Sequence, residues 1–140
     1  MRQYIAAIDQ GTTGTRCILF DARGQIVASD YAEHAQIFPR PGWVEHDPLE
    51  IWRKTKLVIE GAMGRASLGD GALAALGITN QRETTVVWDR HTGRPYANAV
   101  VWQCMRTQVL CQRLLDDGLE PWIRERTGLV VATYFSGPKL

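Results

Sequence analysis

The chain has 140 residues, 45% of them hydrophobic and 22% charged, a balance that suits one soluble globular domain with a real core. Sixteen basic residues against fifteen acidic ones leave a net charge of +1 and no electrostatic footprint for nucleic acid. No apolar run approaches the roughly 18 residues of a membrane helix, and Asp9 cuts the first one too early for a secretory signal. Cys17, Cys104 and Cys111 lack metal-ligand spacing and read as reduced thiols of a cytoplasmic protein.

Residues 4–8 form an apolar run ending at Asp9. Residues 16–20 form a second, closed by the turn signature Asp21-Ala22-Arg23-Gly24, and residues 26–32 a third that returns. This predicts strands joined by successive hairpins. A proline-rich stretch follows, in which Pro39, Pro41 and Pro48 flank Gly42-Trp43-Val44-Glu45-His46. Asp47 then reads as a helix N-cap, with Pro48 at the first helical position and Glu50 at the third. Ile51, Trp52, Thr55, Val58, Ile59, Ala62 and Met63 recur at helical spacing as one apolar face. Residues 73–79 predict a buried strand, residues 84–88 a further strand, and residues 89–95 a turn. Residues 97–102 continue the sheet in this reading. Helices are expected over 105–115, stopped by Gly118, and over 121–127, stopped by Gly128. No closing element is expected over 129–140. The order predicts an α/β domain with a mixed sheet and flanking helices.

The most informative stretch is Asp9-Gln10-Gly11-Thr12-Thr13-Gly14-Thr15-Arg16, between two strands of a hairpin. It has neither the lysine nor the spacing of a Walker A loop. Its ingredients nonetheless suit a polyphosphate. Gly11 and Gly14 allow close backbone approach and positive φ, and the hydroxyls of Thr12, Thr13 and Thr15 with successive N–H groups are donors for phosphate oxygens. Arg16 supplies positive charge, and Asp9 is placed to hold Mg²⁺ directly or through water. A plain Gly-Thr hairpin turn is the competing reading.

Asn80-Gln81-Arg82-Glu83 ends an apolar strand, where ligands bind in α/β sheets. The Glu83 carboxylate can accept from neighbouring hydroxyls while the Arg82 guanidinium donates to a third oxygen, the mixture that vicinal hydroxyls need. Trp102 offers a flat wall to a carbon skeleton, and Tyr134 a second one. Against this, Arg82 and Glu83 also read as a solvated loop pair, and Trp102 as core. His34, His46 and His91 form no ligand cluster.

At these motifs the chain resembles the glycerol kinases, a branch of the carbohydrate kinases that share an actin-like, ribonuclease-H-like fold. The resemblance rests on Asp9-Gln10-Gly11-Thr12-Thr13, Pro41-Gly42-Trp43-Val44-Glu45-His46-Asp47-Pro48, Gly77-Ile78-Thr79-Asn80-Gln81-Arg82-Glu83-Thr84-Thr85, Val101-Trp102-Gln103 and Tyr134-Phe135-Ser136-Gly137. It implies ATP-dependent phosphorylation of glycerol to sn-glycerol 3-phosphate. It also implies Thr12, Thr13, Gly14 and Arg16 at the nucleotide phosphates, and Arg82, Glu83, Trp102 and Tyr134 at glycerol. Gly14 stands where a serine is common, Met105 where an arginine is usual, Thr133 where a proline is usual, and Pro138 in place of a hydroxyl residue.

Members of that family are far longer. The resemblance therefore implies that residues 1–140 are the amino-terminal part of the first lobe, with the second lobe absent. The general-base aspartate and the adenosine pocket are then expected beyond residue 140, and no turnover is expected of the segment alone. Other readings stand beside this one: a kinase of another small polyol or sugar, or a non-catalytic fragment. Unpaired sheet edges keep a homo-oligomer open as well.

Overall fold

In the computed structural model residues 3–140 are described, and their elements run in the order β1 (Tyr4–Gln10), β2 (Gly14–Phe20), β3 (Ile26–Glu33), β4 (Glu45–His46), α1 (Pro48–Arg65), β5 (Leu73–Thr79), β6 (Ala99–Val100), α2 (Gln108–Asp116) and α3 (Glu120–Thr127). A single 3-10 turn at Gly137–Lys139 follows, where no element was expected. The chain divides into two compact units, one built from the residues up to Ala35 with Asp47–Gln81, the other from Gln36–His46 with Arg82–Leu140.

The first unit carries a four-stranded sheet in the order β3-β2-β1-β5. The expected hairpins form: β1 pairs antiparallel with β2, and β2 with β3, while β5 joins β1 in parallel. Helix α1 packs over β2 and β3. Ala6, Cys17, Leu19, Val58 and Ala62 make the buried core beneath it. Small residues there let helix and sheet approach closely, and full burial of Leu19 and of Val58 contributes about 2 kcal/mol each.

Asp47 caps α1 as expected, its carboxylate accepting from the Leu49 N–H at 2.8 Å. Glu50 does not close a capping box. It accepts instead from the Ala35 N–H at 3.3 Å, which ties the helix start to the chain leaving β3. Trp52 lies outside the apolar face assigned to it: it is exposed, and the Lys56 ammonium sits 5.5 Å from its ring centre.

Strand β5 covers the predicted residues but is not buried. It is an edge strand beside β1, and α1 lies over β2 and β3. Leu76 and Ile78 are consequently 50% and 68% exposed.

The second unit departs furthest from expectation. Residues 84–88 form no strand, only single bridges from Thr85 to Val100 and from Trp88 to Pro95. Just beyond them, the Asp89 carboxylate accepts from the N–H groups of His91 and Thr92, at 2.9 and 2.8 Å, and forms the turn expected there. Of residues 97–102 only β6 is strand. It pairs with β4 in a separate two-stranded sheet and does not extend the large one. Helix α2 begins later than expected, at Gln108, and the Met105 N–H before it donates to the Gly42 carbonyl at 2.8 Å. Gly128 ends α3 in the left-handed conformation, φ 72°, where a side chain would be strained. Among the described residues no helix is long and apolar enough to cross a membrane.

Candidate functional site

The turn between β1 and β2 is organised by amide side chains. The Gln10 amide oxygen accepts from the hydroxyls of Thr15, at 2.8 Å, and Thr55, at 3.3 Å. The Gln81 amide nitrogen donates to the Gly11 carbonyl at 2.9 Å. The His34 N–H donates to the Thr13 carbonyl at 3.3 Å, and the Gly11 N–H to the Gly14 carbonyl at 3.0 Å. The carbonyls of Gly11, Thr13 and Gly14 would repel an anion, and each is occupied by a protein donor. A loop whose acceptors are satisfied internally is fitted to receive an acceptor-rich ligand.

Two expectations about this loop need correction. Gly11 and Gly14 do not adopt positive φ; their value is close approach. A side-chain carbon at Gly11 would come 3.1 Å from the Gly14 carbonyl, and one at Gly14 would come 2.6 Å from both the Ala32 carbonyl and the Tyr31 hydroxyl. Thr15 is fully buried and its hydroxyl is given to Gln10, so it is not a phosphate donor. Thr12 and Thr13 remain at the turn, with Thr13 exposed.

Asp9 of β1, Arg16 of β2 and Tyr31 of β3 form a row across three strands, since Asp9 pairs with Arg16 and Arg16 with Tyr31. All three are exposed. The Arg16 guanidinium lies 5.3 Å from the Tyr31 ring centre. Among the described residues no group of three metal-ligating side chains exists. Asp9 alone fits an ion that keeps most of its waters and takes its other ligands from phosphate oxygens, as Mg²⁺ does.

The second unit gathers most of the predicted substrate grip. Glu83 is one of few non-glycine residues with positive φ, at 60°. One oxygen of its carboxylate accepts from both the N–H and the hydroxyl of Ser136, at 2.6 and 2.7 Å. The Lys139 ammonium donates to the carbonyls of Glu83 and Tyr134, each at 2.6 Å. Tyr134 meets Trp102 edge-on, with ring centres 5.8 Å apart, and its own other neighbour Phe135 at 5.1 Å. The two aromatic walls therefore do stand together, beside a carboxylate fixed through the backbone of the same segment.

Arg82 is exposed, and the structure gives it a weaker place: its charge acts on Glu83 from a distance. The Glu83 carboxyl is held below the usual carboxylate range, first by the Ser136 hydroxyl, then by the Ser136 N–H, with the charges of Lys139 and Arg82 adding to both. Burial pushes the Lys139 ammonium down, against the attraction of Glu83.

The same unit holds an ion pair of Glu45 and Arg106 at 2.5 Å, with Asn98 donating to the other Glu45 oxygen at 2.9 Å. Arg106 also lies 4.0 Å from the Trp43 ring centre. Burial by itself would raise the Glu45 carboxyl, but the bonds from Asn98 and Arg106 outweigh it and hold it low. Met105 thus leaves the neighbouring ion pair intact, and Tyr134 meets Trp102 with Thr133 and Pro138 in place.

Residues that sequence reasoning did not assign are Gln10 and Gln81, which brace the loop, and Ser136 and Lys139, which fix Glu83. The signal for Gln81 was its position at the end of a strand beside β1. For Ser136 and Lys139 no local pattern indicated the partner.

The sequence model described as the FGGY family of carbohydrate kinases, N-terminal domain, matches residues 4–140, and the chain belongs to that family. It is 56% identical over 140 residues to a glycerol kinase of Roseiflexus sp. (strain RS-1), covering 100% of this chain and 28% of that protein. It is 59% identical over 138 residues to glycerol kinase 2 of Streptomyces avermitilis, covering 99% of this chain and 27% of that protein. The chain thus spans little more than a quarter of the length of these relatives. Among solved structures, Plasmodium falciparum glycerol kinase with ADP superposes with a TM-score of 0.90 at 34% identity, over 99% of this chain and 28% of that one. The xylulose kinase of Brucella ovis superposes with a TM-score of 0.88 at 25% identity, over 98% of this chain and 28% of that one. The fold is therefore the mixed α/β fold of the sugar kinases.

Proposed function

We propose that the protein carrying this domain transfers the terminal phosphoryl group of ATP to glycerol, giving ADP and sn-glycerol 3-phosphate. Residues 1–140 are the amino-terminal part of its first lobe in this reading. The observation that carries it is Glu83, its carboxylate held by Ser136 and its backbone carbonyl by Lys139, in the same segment as the Trp102–Tyr134 ring pair. A short polyol needs one firm acceptor, a cation and a flat apolar surface. Glu83 accepts from glycerol hydroxyls, Arg82 donates to one of their oxygens, and the rings cover the carbon chain.

At the other functional stretch, Thr12, Thr13, Gly14 and Arg16 receive the phosphates of ATP, and Thr12 lies near the transferred group. Asp9 would hold Mg²⁺, which supplies charge neutralisation at the phosphates when bound. Phosphoryl transfer depends on positioning and on stabilising developing charge, and loops of this kind do both. The proton of the attacking glycerol hydroxyl passes to a base contributed by sequence outside these residues. The catalytic cycle is that of a cytoplasmic enzyme.

Two measurements test this reading. Isothermal titration of the folded 140-residue chain with glycerol is expected to give saturable binding that disappears in Arg82→Ala. Coupled detection of ADP is expected to show no turnover by that chain. Tight binding of a pentulose or sugar acid in place of glycerol would overturn the substrate assignment.

A further inference from the structure

The loop contains a feature that the reading above does not use. Position 14 has no side chain, and the space beside it is filled from the neighbouring strand. The Tyr31 hydroxyl lies 2.6 Å from where a side-chain carbon on Gly14 would be. That hydroxyl is 3.5 Å from the Thr13 hydroxyl, the outer limit of a hydrogen bond, so its donor is only weakly engaged. The ring is anchored by Arg16, whose guanidinium stands 5.3 Å from its centre. Tyr31 is 42% exposed, so the hydroxyl is held at the loop without being sealed off from ligand.

We propose that Tyr31 is a nucleotide-binding residue, its hydroxyl standing in for the absent side chain at position 14 and donating to a phosphate oxygen beside Thr13. This deepens the proposed kinase function and rests on the phosphate-loop assignment. The geometry favours a donor role. Thr13 and Tyr31 bring their hydroxyls together at one point, and Arg16 adds positive charge to the same face. An anion arriving there meets two hydroxyls and a guanidinium, with the loop carbonyls already occupied. Arg16 gains as well: the ring faces limit where the guanidinium can swing, which presets it for the phosphates.

The test uses the intact protein that contains this domain, with MgATP, MgADP and adenosine as probes. Tyr31→Phe keeps the ring on Arg16 and removes only the hydroxyl. Its affinity for MgATP and MgADP is expected to fall about tenfold, the order for a hydrogen bond to a charged group. Adenosine affinity, glycerol KM and the melting temperature are expected to stay at wild-type values. Thr12→Ala and Arg16→Ala serve as controls for the loop itself. Wild-type nucleotide affinity in Tyr31→Phe, alongside losses in both controls, would overturn the Tyr31 proposal and leave the phosphate loop standing. Wild-type affinity in all three variants would overturn the loop assignment and the proposal with it. An equal loss for adenosine and MgATP in Tyr31→Phe would make the hydroxyl structural and sink the proposal too.

Discussion

In the first unit, helix α1 seals Ala6, Cys17 and Leu19 against Val58 and Ala62, and the loop it supports is shaped by backbone and amide groups. In the second, a two-stranded sheet and short helices leave more of the structure to charged bonds: Glu45 with Arg106 and Asn98, and Glu83 with Ser136 and Lys139. One unit depends on packing and close approach, the other on satisfied charge. Packing tolerates changes of pH and salt but not of volume. Charge clusters tolerate changes of volume at their rim but fail when one partner is lost.

The largest break in that comparison is expected from Arg106→Met. It takes the cation from the Glu45 carboxylate, whose side chain is only 15% exposed and which retains the Asn98 bond, and it removes the contact with Trp43. Breaking a largely buried pair of this kind costs about 3 kcal/mol. Urea unfolding followed by tryptophan fluorescence measures it. A loss under about 0.5 kcal/mol, the size of an exposed pair, would mean that the second unit is not held by this cluster.

Gly14→Ala tests the first unit and should cost somewhat less. Its methyl group would land 2.6 Å from the Ala32 carbonyl, which is backbone, so β2 and β3 must separate to admit it. Overpacking of that size costs about 2 kcal/mol. Hydrogen exchange of the β2 and β3 amides reads the result locally. Unchanged protection of those amides would show that the close approach is not needed.

The same contrast explains which parts of the molecule were legible beforehand. The opening hairpins, α1 and its Asp47 cap could be read because their signals are local, made of periodic apolar residues, turn residues and a cap within a few positions. The loop and the residues Glu83 and Trp102 stood out as unusual residue types at expected strand ends, and Tyr134 as an aromatic near the end of the chain. What could not be read was long-range. Nothing around Leu76 and Ile78 says that α1 stops short of β5, so an apolar strand looked buried. The brief pairing of Glu45–His46 with Ala99–Val100 joins positions too distant in sequence for any pattern to suggest. Thr15 and Thr13 look alike in sequence, and only the partner Gln10 separates a core hydroxyl from an exposed one.

Acid is expected to separate the units by the smallest margin. The Glu45 and Glu83 carboxyls are both held below their ordinary range, by the bonds from Asn98 and Arg106 in one case and by Ser136 in the other. A depressed carboxyl contributes stability that is fully present above its unfolded pKa, about 4.3 for glutamate. That contribution is lost as pH falls through the lower folded value. In the first unit Asp30 is likewise held low by its hydrogen bond from Arg65. Arg65 is 57% exposed in that pair, so solvent screens it and the contribution is small. Cysteines report on both units, Cys17 from the first core and Cys104 and Cys111 from the second, all of them buried and free. A pyridyl disulfide, which labels thiols in acid, should reach Cys104 and Cys111 before Cys17 as pH is lowered from 6 towards 3, with each rate referred to the urea-unfolded chain. Labelling of Cys17 first would place the acid-sensitive contacts in the sheet unit, and the division between packing and charge would then have to be reversed.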